Sequence, residues 1–305
     1  MSVLNTGLAK VFDSAVWYGD RGLIAGSWDS SLLTINYINI PTPGNASDFG
    51  DLSVFRWTSS STSNGSRGVW MGGRGSSRLA SIDYVTISTL SDGADFGDIT
   101  SARSGGGACS DGTRGLLGGG NYDGSDVKDI IDYITIATTG NSTDFGDLVS
   151  DRYVVSGLAD DTRGVFAGGW VVPGATAVNI MEYVTIATTS NTTDFGDLSG
   201  ASKEGAGCSS RTRGIFSQGE DISETVSTAI DYITIQTTGN ATDFGDLTLA
   251  RPHLGAGCSN STYGVFGSDV DDTLDYITIA STGDAIDFGN LTSDDIYRAG
   301  ACAGD

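Results

Sequence analysis

The phrase Asp-Phe-Gly recurs along this chain at Asp48, Asp95, Asp144, Asp194, Asp243 and Asp287, at intervals of 47, 49, 50, 49 and 44 residues. A protein kinase uses one such aspartate, beside an HRD loop and a strand lysine, and neither accompanies it here. Recurrence at a period of about 20 to 50 residues is the signature of a solenoid, a propeller or an array. The phrase therefore marks a structural unit rather than a catalytic one.

Two further phrases keep step with it. RGLLGGG, residues 114–120, is echoed by RGLIAG at 21, RGVWMGG at 67, RGVFAGG at 163, RGIFSQG at 213 and YGVFG at 263. IDYITI, residues 131–136, is echoed around Tyr37, Tyr84, Tyr183, Tyr232 and Tyr276, and each tyrosine precedes the Phe of the next DFG by 12 residues. The distance from the RG phrase to the tyrosine instead varies from 13 to 20 residues. One connection is fixed and the other is free. IDYITIAT alternates in the manner of a half-buried strand. TTGN is a turn, and DFGDL is a short partner strand. GACSDGTRGLL sets Asp-Gly between apolar segments, a hairpin signal. Each unit of about 49 residues thus predicts four antiparallel strands: a (GGACS), b (RGLLGG), c (DYITIAT) and d (DFGDL). A sheet this small must stack on its copies, and six copies arranged radially close into an all-β, six-bladed propeller spanning residues 1–305 as a single domain.

Composition agrees. Glycine contributes 45 residues and proline only 4, so the turns rest on Gly, Asn and Asp. The net charge of −22 argues against a nucleic-acid partner. No apolar run reaches the ~18 residues of a membrane helix, and the opening MSVLNTGLAKVFDS lacks the pattern of a Sec signal. The four cysteines, Cys109, Cys208, Cys258 and Cys302, share one phase of strand a and read as reduced structural thiols. Neither a metal nor a cofactor is expected.

At residues 101–120, SARSGGGACSDGTRGLLGGG, the chain resembles a kelch repeat, with an Arg before the first strand, a short turn and a glycine doublet after the second. It departs from that pattern in having the doublet complete only near Gly72, Gly118 and Gly168 and in lacking the kelch tryptophan. The glycine-rich, DFGDL-bearing form also resembles propellers encoded by bacteriophages, including marine ones. The resemblance implies a virion protein, assembled in the host cytoplasm, with other virion proteins as partners.

Five units carry Arg in the RG phrase and Asp after DFG: Arg21 and Asp51, Arg67 and Asp98, Arg114 and Asp147, Arg163 and Asp197, Arg213 and Asp246. The sixth has Tyr263 and Asn290, so both charges vanish together, which predicts an ion pair within each blade. DFG offers glycine for a bulge or a close backbone approach and Phe for packing between blades.

The a–b and c–d turns share one face and are short. The b–c and d–a loops share the other, vary between repeats, and form the candidate binding face, with Trp28, Tyr122, Trp170 and Asp221 on its longest connections. Arg56, Arg103, Arg152, Lys203 and Arg251 precede strand a, with Lys10 as the N-terminal counterpart, and would ring the channel mouth. In kelch domains the resembling arginines contact acidic ligands, which implies an anionic glycan or acidic peptide. The alternative pairs each with a nearby aspartate. His253 has no repeat phase and reads as a loop residue, and Asn45, Asn141, Asn191 and Asn240 read as turn residues rather than glycosylation sites. RAGACAGD, residues 298–305, repeats strand a although SAVWYGD, residues 14–20, already holds that place. Segments 1–13 and 292–305 then either close the ring, with Ser14 to Tyr18 displaced, or pair with another subunit in a homo-oligomer.

These features favour a non-enzymatic structural or receptor-binding protein of a phage particle, at tail or capsid. The rival expectation is a glycan-active or glycan-binding propeller using loop-face carboxylates, two acids about 5–10 Å apart being its mark.

Overall fold

The computed structural model describes residues 19–121, 126–172, 174, 176–253, 255–267, 271–293 and 296–305. Six antiparallel sheets, each in the order a–b–c–d, are arranged as the blades of a six-bladed β-propeller. Blade 2 runs through Ser60–Ser63, Arg67–Met71, Ser81–Thr86 and Ala94–Asp98. Blade 3 uses Gly107–Ser110, Arg114–Gly120, Lys128–Thr135 and Thr143–Asp147. Blade 4 uses Ser156–Ala159, Arg163–Ala167, Thr176–Thr185 and Thr193–Ser202, with the short strands Arg152–Tyr153 and Trp170–Val171 at its loop end. Blade 5 uses Ala206–Ser209, Arg213–Ser217, Ala229–Thr234 and Thr242–Asp246, and blade 6 Gly257–Ser259, Tyr263–Phe266, Thr273–Thr278 and Ile286–Asn290.

Blade 1 resolves the question of the ends. Its strands b, c and d are Arg21–Ser27, Thr34–Asn39 and Ser47–Asp51, and its strand a is Ile296–Gly304. Arg21 lies opposite Gly304 and Leu23 opposite Cys302. The ring is therefore closed within the chain. Ser14 to Tyr18 and Lys10 lie outside the described residues.

The core sits between blades. One cluster joins Leu116, Ile131 and Phe145 of blade 3 to Phe166, Val184 and Ile186 of blade 4, all at most 2% exposed. Both expected uses of the DFG glycine occur together. Gly146 pairs with Ile131 and Asp144 with Asp132, so Phe145 is the extra residue of a bulge. Gly146 takes φ +147°, and a Cβ there would stand 2.3 Å from the Ser190 carbonyl in the next blade's turn. The turn asparagines complete this contact as latches: Asn141 accepts the Asp98 N–H at 3.0 Å, Asn191 that of Asp147, Asn240 that of Asp197, and Asn45 that of Asn290.

The RG glycine has a different task. A Cβ at Gly164 would lie 2.6 Å from Cys109 Sγ of the preceding blade, and Gly264, Gly22 and Gly68 stand in the same relation to Cys208, Cys258 and Cys302. Each thiol fills a slot that a neighbouring strand b leaves by having no side chain. All four cysteines are unbridged and buried.

The expected ion pairs of Arg21 with Asp51, Arg67 with Asp98, Arg114 with Asp147, Arg163 with Asp197 and Arg213 with Asp246 are corrected by the strand register. Arg114 lies opposite Thr135 and Asp147 opposite Ile130, at the two ends of strand c, and the other four blades repeat this separation. Each arginine instead stacks over the tyrosine of its own blade, from 4.1 Å for Arg163 on Tyr183 to 5.4 Å for Arg21 on Tyr37. It also donates to an isoleucine carbonyl of the next blade, as Arg114 does to Ile186 at 3.1 Å. In blade 6 Tyr263 takes the arginine's place, edge-on to Tyr276 at 5.7 Å.

Candidate functional site

The d–a crossovers end at the axis, and they position the site. Arg56, Arg103, Arg152 and Arg251 do not ring the mouth; all are at most 1% exposed. Each reaches a carboxylate at the centre of strand c: Arg56 to Asp83 at 2.8 Å, Arg103 to Asp132 at 2.9 Å, Arg251 to Asp275 at 2.6 Å, and Arg152 to Glu182. The pairing with nearby acids is thus the correct reading for these four, and the channel-mouth reading is withdrawn. Burial lowers the pKa of Arg56, Arg103 and Arg152, and for Arg56 and Arg103 the paired aspartate opposes it. The guanidinium also satisfies carbonyls of the glycine doublet, Arg56 donating to Gly72 and Arg103 to Gly119, each at 2.9 Å. The carboxylate is shared with the incoming crossover: Thr100 N–H and Oγ1–H donate to Asp132 at 3.1 and 2.7 Å, and Ser53 does the same to Asp83. These groups are framework.

Blades 1 and 5 vary the device. In blade 1 the partners are Ile296 and Asn36, both buried, so both charges are lost together. In blade 5 Ser202 takes the arginine's place, Lys203 one residue on turns to Glu220 at 2.9 Å, and Asp231 accepts from Gln218 Nε2 at 2.9 Å.

Five residues before the cysteine phase of strand a, just past the arginine position, each crossover reaches the axis. Trp57, Ser104, Tyr153, Lys203, His253 and Tyr297 occupy this position in successive blades. The residue after it bends around the axis: Thr58, Gly105, Val154, Glu204 and Arg298 have φ between +45° and +71°. Their backbones link head to tail, Thr58 N–H to the Arg298 carbonyl, Gly105 to Thr58, Val154 to Gly105 and Glu204 to Val154, at 2.5–3.2 Å. This collar defines the mouth of the channel and explains why non-glycine residues tolerate left-handed backbone there.

Aromatic residues gather on one side of the collar. Trp28, from the b–c loop of blade 1, packs on Trp57 with ring centroids 4.5 Å apart and on Tyr297 at 5.3 Å; Trp57 and Tyr297 are 6.0 Å apart, and His253 lies 5.3 Å from Tyr297. Trp57 is buried, whereas Trp28 is 61% exposed. An indole packed against two rings and still open to solvent offers a surface for stacking.

Beside it the cavity at the mouth is lined by Ser59, Val155, Glu204, His253 and Arg298. Glu204 is 8% exposed and accepts from Arg298 Nη2 at 2.6 Å, with His253 Nε2 at 3.3 Å. Burial pushes its carboxyl pKa up, against the opposing pull of Arg298, His253 and Lys203. Ser59 is 6% exposed, and its Oγ has no hydrogen-bond partner within the protein.

Of the residues expected on the binding face, Trp28 belongs to this cluster. Trp170 is half-buried on the far side, pairing with Tyr153 and covered by the Lys203 ammonium at 4.7 Å. Asp221 is spent inside its own loop, accepting the Ser223 and Thr225 N–H groups at 2.7 and 2.9 Å. Tyr122 lies outside the described residues. Sequence reasoning missed Trp57, Tyr297, Glu204 and Arg298, and it read His253 as an isolated loop residue. Aligning the crossovers on the cysteine phase would have found them, because that alignment puts Trp57, His253 and Tyr297 at one repeat position. No protein-family model matches the chain, and no curated protein is significantly similar to it.

Proposed function

We propose that this protein is a non-enzymatic recognition propeller that holds its ligand on the variable-loop face, beside the channel mouth. The observation that carries the reading is the exposed Trp28, fixed by Trp57 and Tyr297 where two crossovers meet. Function concentrates on loops supported by a rigid frame, and the side chains of the frame are consumed in holding blades together. The kelch-like resemblance and the likeness to phage-encoded propellers extend the proposal: the protein is a virion component, structural or receptor-binding, at tail or capsid. Particles imaged with a label on the chain test this. A loop face exposed at a distal tip supports receptor binding, burial against shell or tail supports a structural role, and absence from the particle overturns the virion assignment. Trp28→Ala should abolish retention on host surfaces if the face is the recognition surface.

One observation favours the enzymatic alternative, a glycan-active propeller. Glu204 is a carboxyl whose pKa burial raises, the direction that suits a general acid. Release of new reducing ends from a polysaccharide, lost in Glu204→Gln, would establish turnover in place of retention.

A further inference from the structure

The chemistry at the mouth narrows what the face takes, given the recognition reading above. We propose that Trp28 and the Glu204 cavity form one binding site for an uncharged oligosaccharide, one pyranose ring stacking on the indole and hydroxyls of a neighbouring unit bonding to Glu204, Arg298 and Ser59. The two halves are continuous: Trp28 packs on Tyr297, Tyr297 on His253, and His253 Nε2 reaches Glu204 at 3.3 Å.

Three observations select this class. The first is an exposed planar ring packed against two others, which offers apolar surface to the C–H groups of a sugar. The second is the acceptor and donor set. Glu204 supplies acceptor oxygens and Arg298 a donor fork, fixed 2.6 Å apart, so adjacent hydroxyls find one of each. Such a pair is neutral overall and suits a neutral ligand. The third is Ser59 Oγ, which is 94% buried by residue, lines the same cavity and makes no bond to protein. A buried hydroxyl left unpaired is destabilising, and a ligand hydroxyl would satisfy it. Net charge decides against the anionic alternative. At −22 the molecule repels sialylated or sulfated glycans, and the arginines that would have answered them, Arg56, Arg103, Arg152 and Arg251, are buried in ion pairs. An isolated cation is disfavoured too, because Arg74 stands 5.8 Å from the Trp57 ring and Arg298 4.9 Å from that of Tyr297.

The test uses the whole chain and two panels, methyl glycosides and short oligosaccharides of neutral hexoses, and their sialylated or sulfated counterparts. Binding is read by tryptophan emission and by saturation-transfer NMR. Neutral sugars should shift the emission and show transfer to ring C–H protons. Trp28→Ala, an exposed site whose change leaves the fold intact, should weaken binding at least tenfold, or about 1.4 kcal/mol. Ser59→Ala should weaken it severalfold without moving the unfolding midpoint downward. Failure of every neutral sugar overturns the inference. If host-surface retention then still depends on Trp28, the recognition face stands and only the ligand class falls. If retention survives Trp28→Ala, both fall. Preference for the anionic panel overturns the class assignment outright.

Discussion

A carboxylate at the dry centre of a small sheet is costly unless partners answer its charge. Asp132 is answered by Arg103 from one side and Thr100 from the other. Removing one partner strands the second, at a cost of about 3–5 kcal/mol. Asp132→Ala is therefore expected to lower the denaturation midpoint sharply. The double change Arg103→Ile with Asp132→Asn, which copies Ile296 and Asn36 of blade 1, should cost clearly less than the sum of its single changes. Additive losses in that cycle would show that the pair is not a unit. Glu204 behaves differently. Its raised pKa means that the folded state binds its proton more tightly than the unfolded state does. Its contribution to stability is complete below the ordinary glutamate value and declines as pH rises through the raised one. The midpoint of the native protein relative to that of Glu204→Gln, followed from pH 4 to 8, should fall with increasing pH; a flat difference would contradict the raised value.

Strand pairs carry the next level of explanation, because the recurring glycines act between elements rather than within them. Gly164 is a slot for Cys109, so Gly164→Ala should destabilise by about 1–3 kcal/mol through overpacking. Adding Cys109→Ala, which deletes the atom in the way, should recover much of that loss. Gly146→Ala meets backbone instead of a side chain, and no such rescue is open to it. The same seating keeps the thiols inert: burial pushes Cys258 up to about 12 and raises the other three as well. Iodoacetamide at pH 8 should leave all four unmodified in the folded protein and label them after denaturation. Blade architecture was legible from sequence because strand phase, hairpin turns and period were all written in the phrases, and the fixed spacing of tyrosine to DFG set the c–d pairing. The ion pair was misassigned for an identifiable reason. Besides the DFG aspartate itself, most repeats carry two acids, Asp132 in IDY at the centre of strand c and Asp147 after DFG opposite Ile130, and either could answer an arginine. The variable b–c loop prevents counting the register of strand b on strand c. The site was harder still, since Trp57, Lys203, His253 and Tyr297 share a repeat position but no residue type, so that only an alignment anchored on the cysteine phase brings them together.

At the scale of the whole ring, stability is a property of neighbours. Each hydrophobic cluster draws on two adjacent blades, so no blade holds a core alone. Strand a of blade 1 covers Leu23, and its Gly300 carbonyl accepts the Trp70 indole N–H of blade 2 at 3.2 Å. Deleting residues 296–305 should abolish the cooperative unfolding transition seen by calorimetry and expand the molecule on gel filtration. A peptide of sequence 296–304 added in trans should restore compactness. Retention of a sharp transition by the truncated chain would mean that the ring does not depend on its clasp.

That clasp also imposes a timetable. Arg21 finds its partner in Gly304, so during translation the earliest described strands wait, one edge bare, while five blades emerge behind them. Long-range pairing is slow and leaves such edges open to wrong partners. Nascent chains crowded on one messenger could exchange these strands and link into dimers. Slow synthesis at high dilution should suppress that product and overexpression should enrich it.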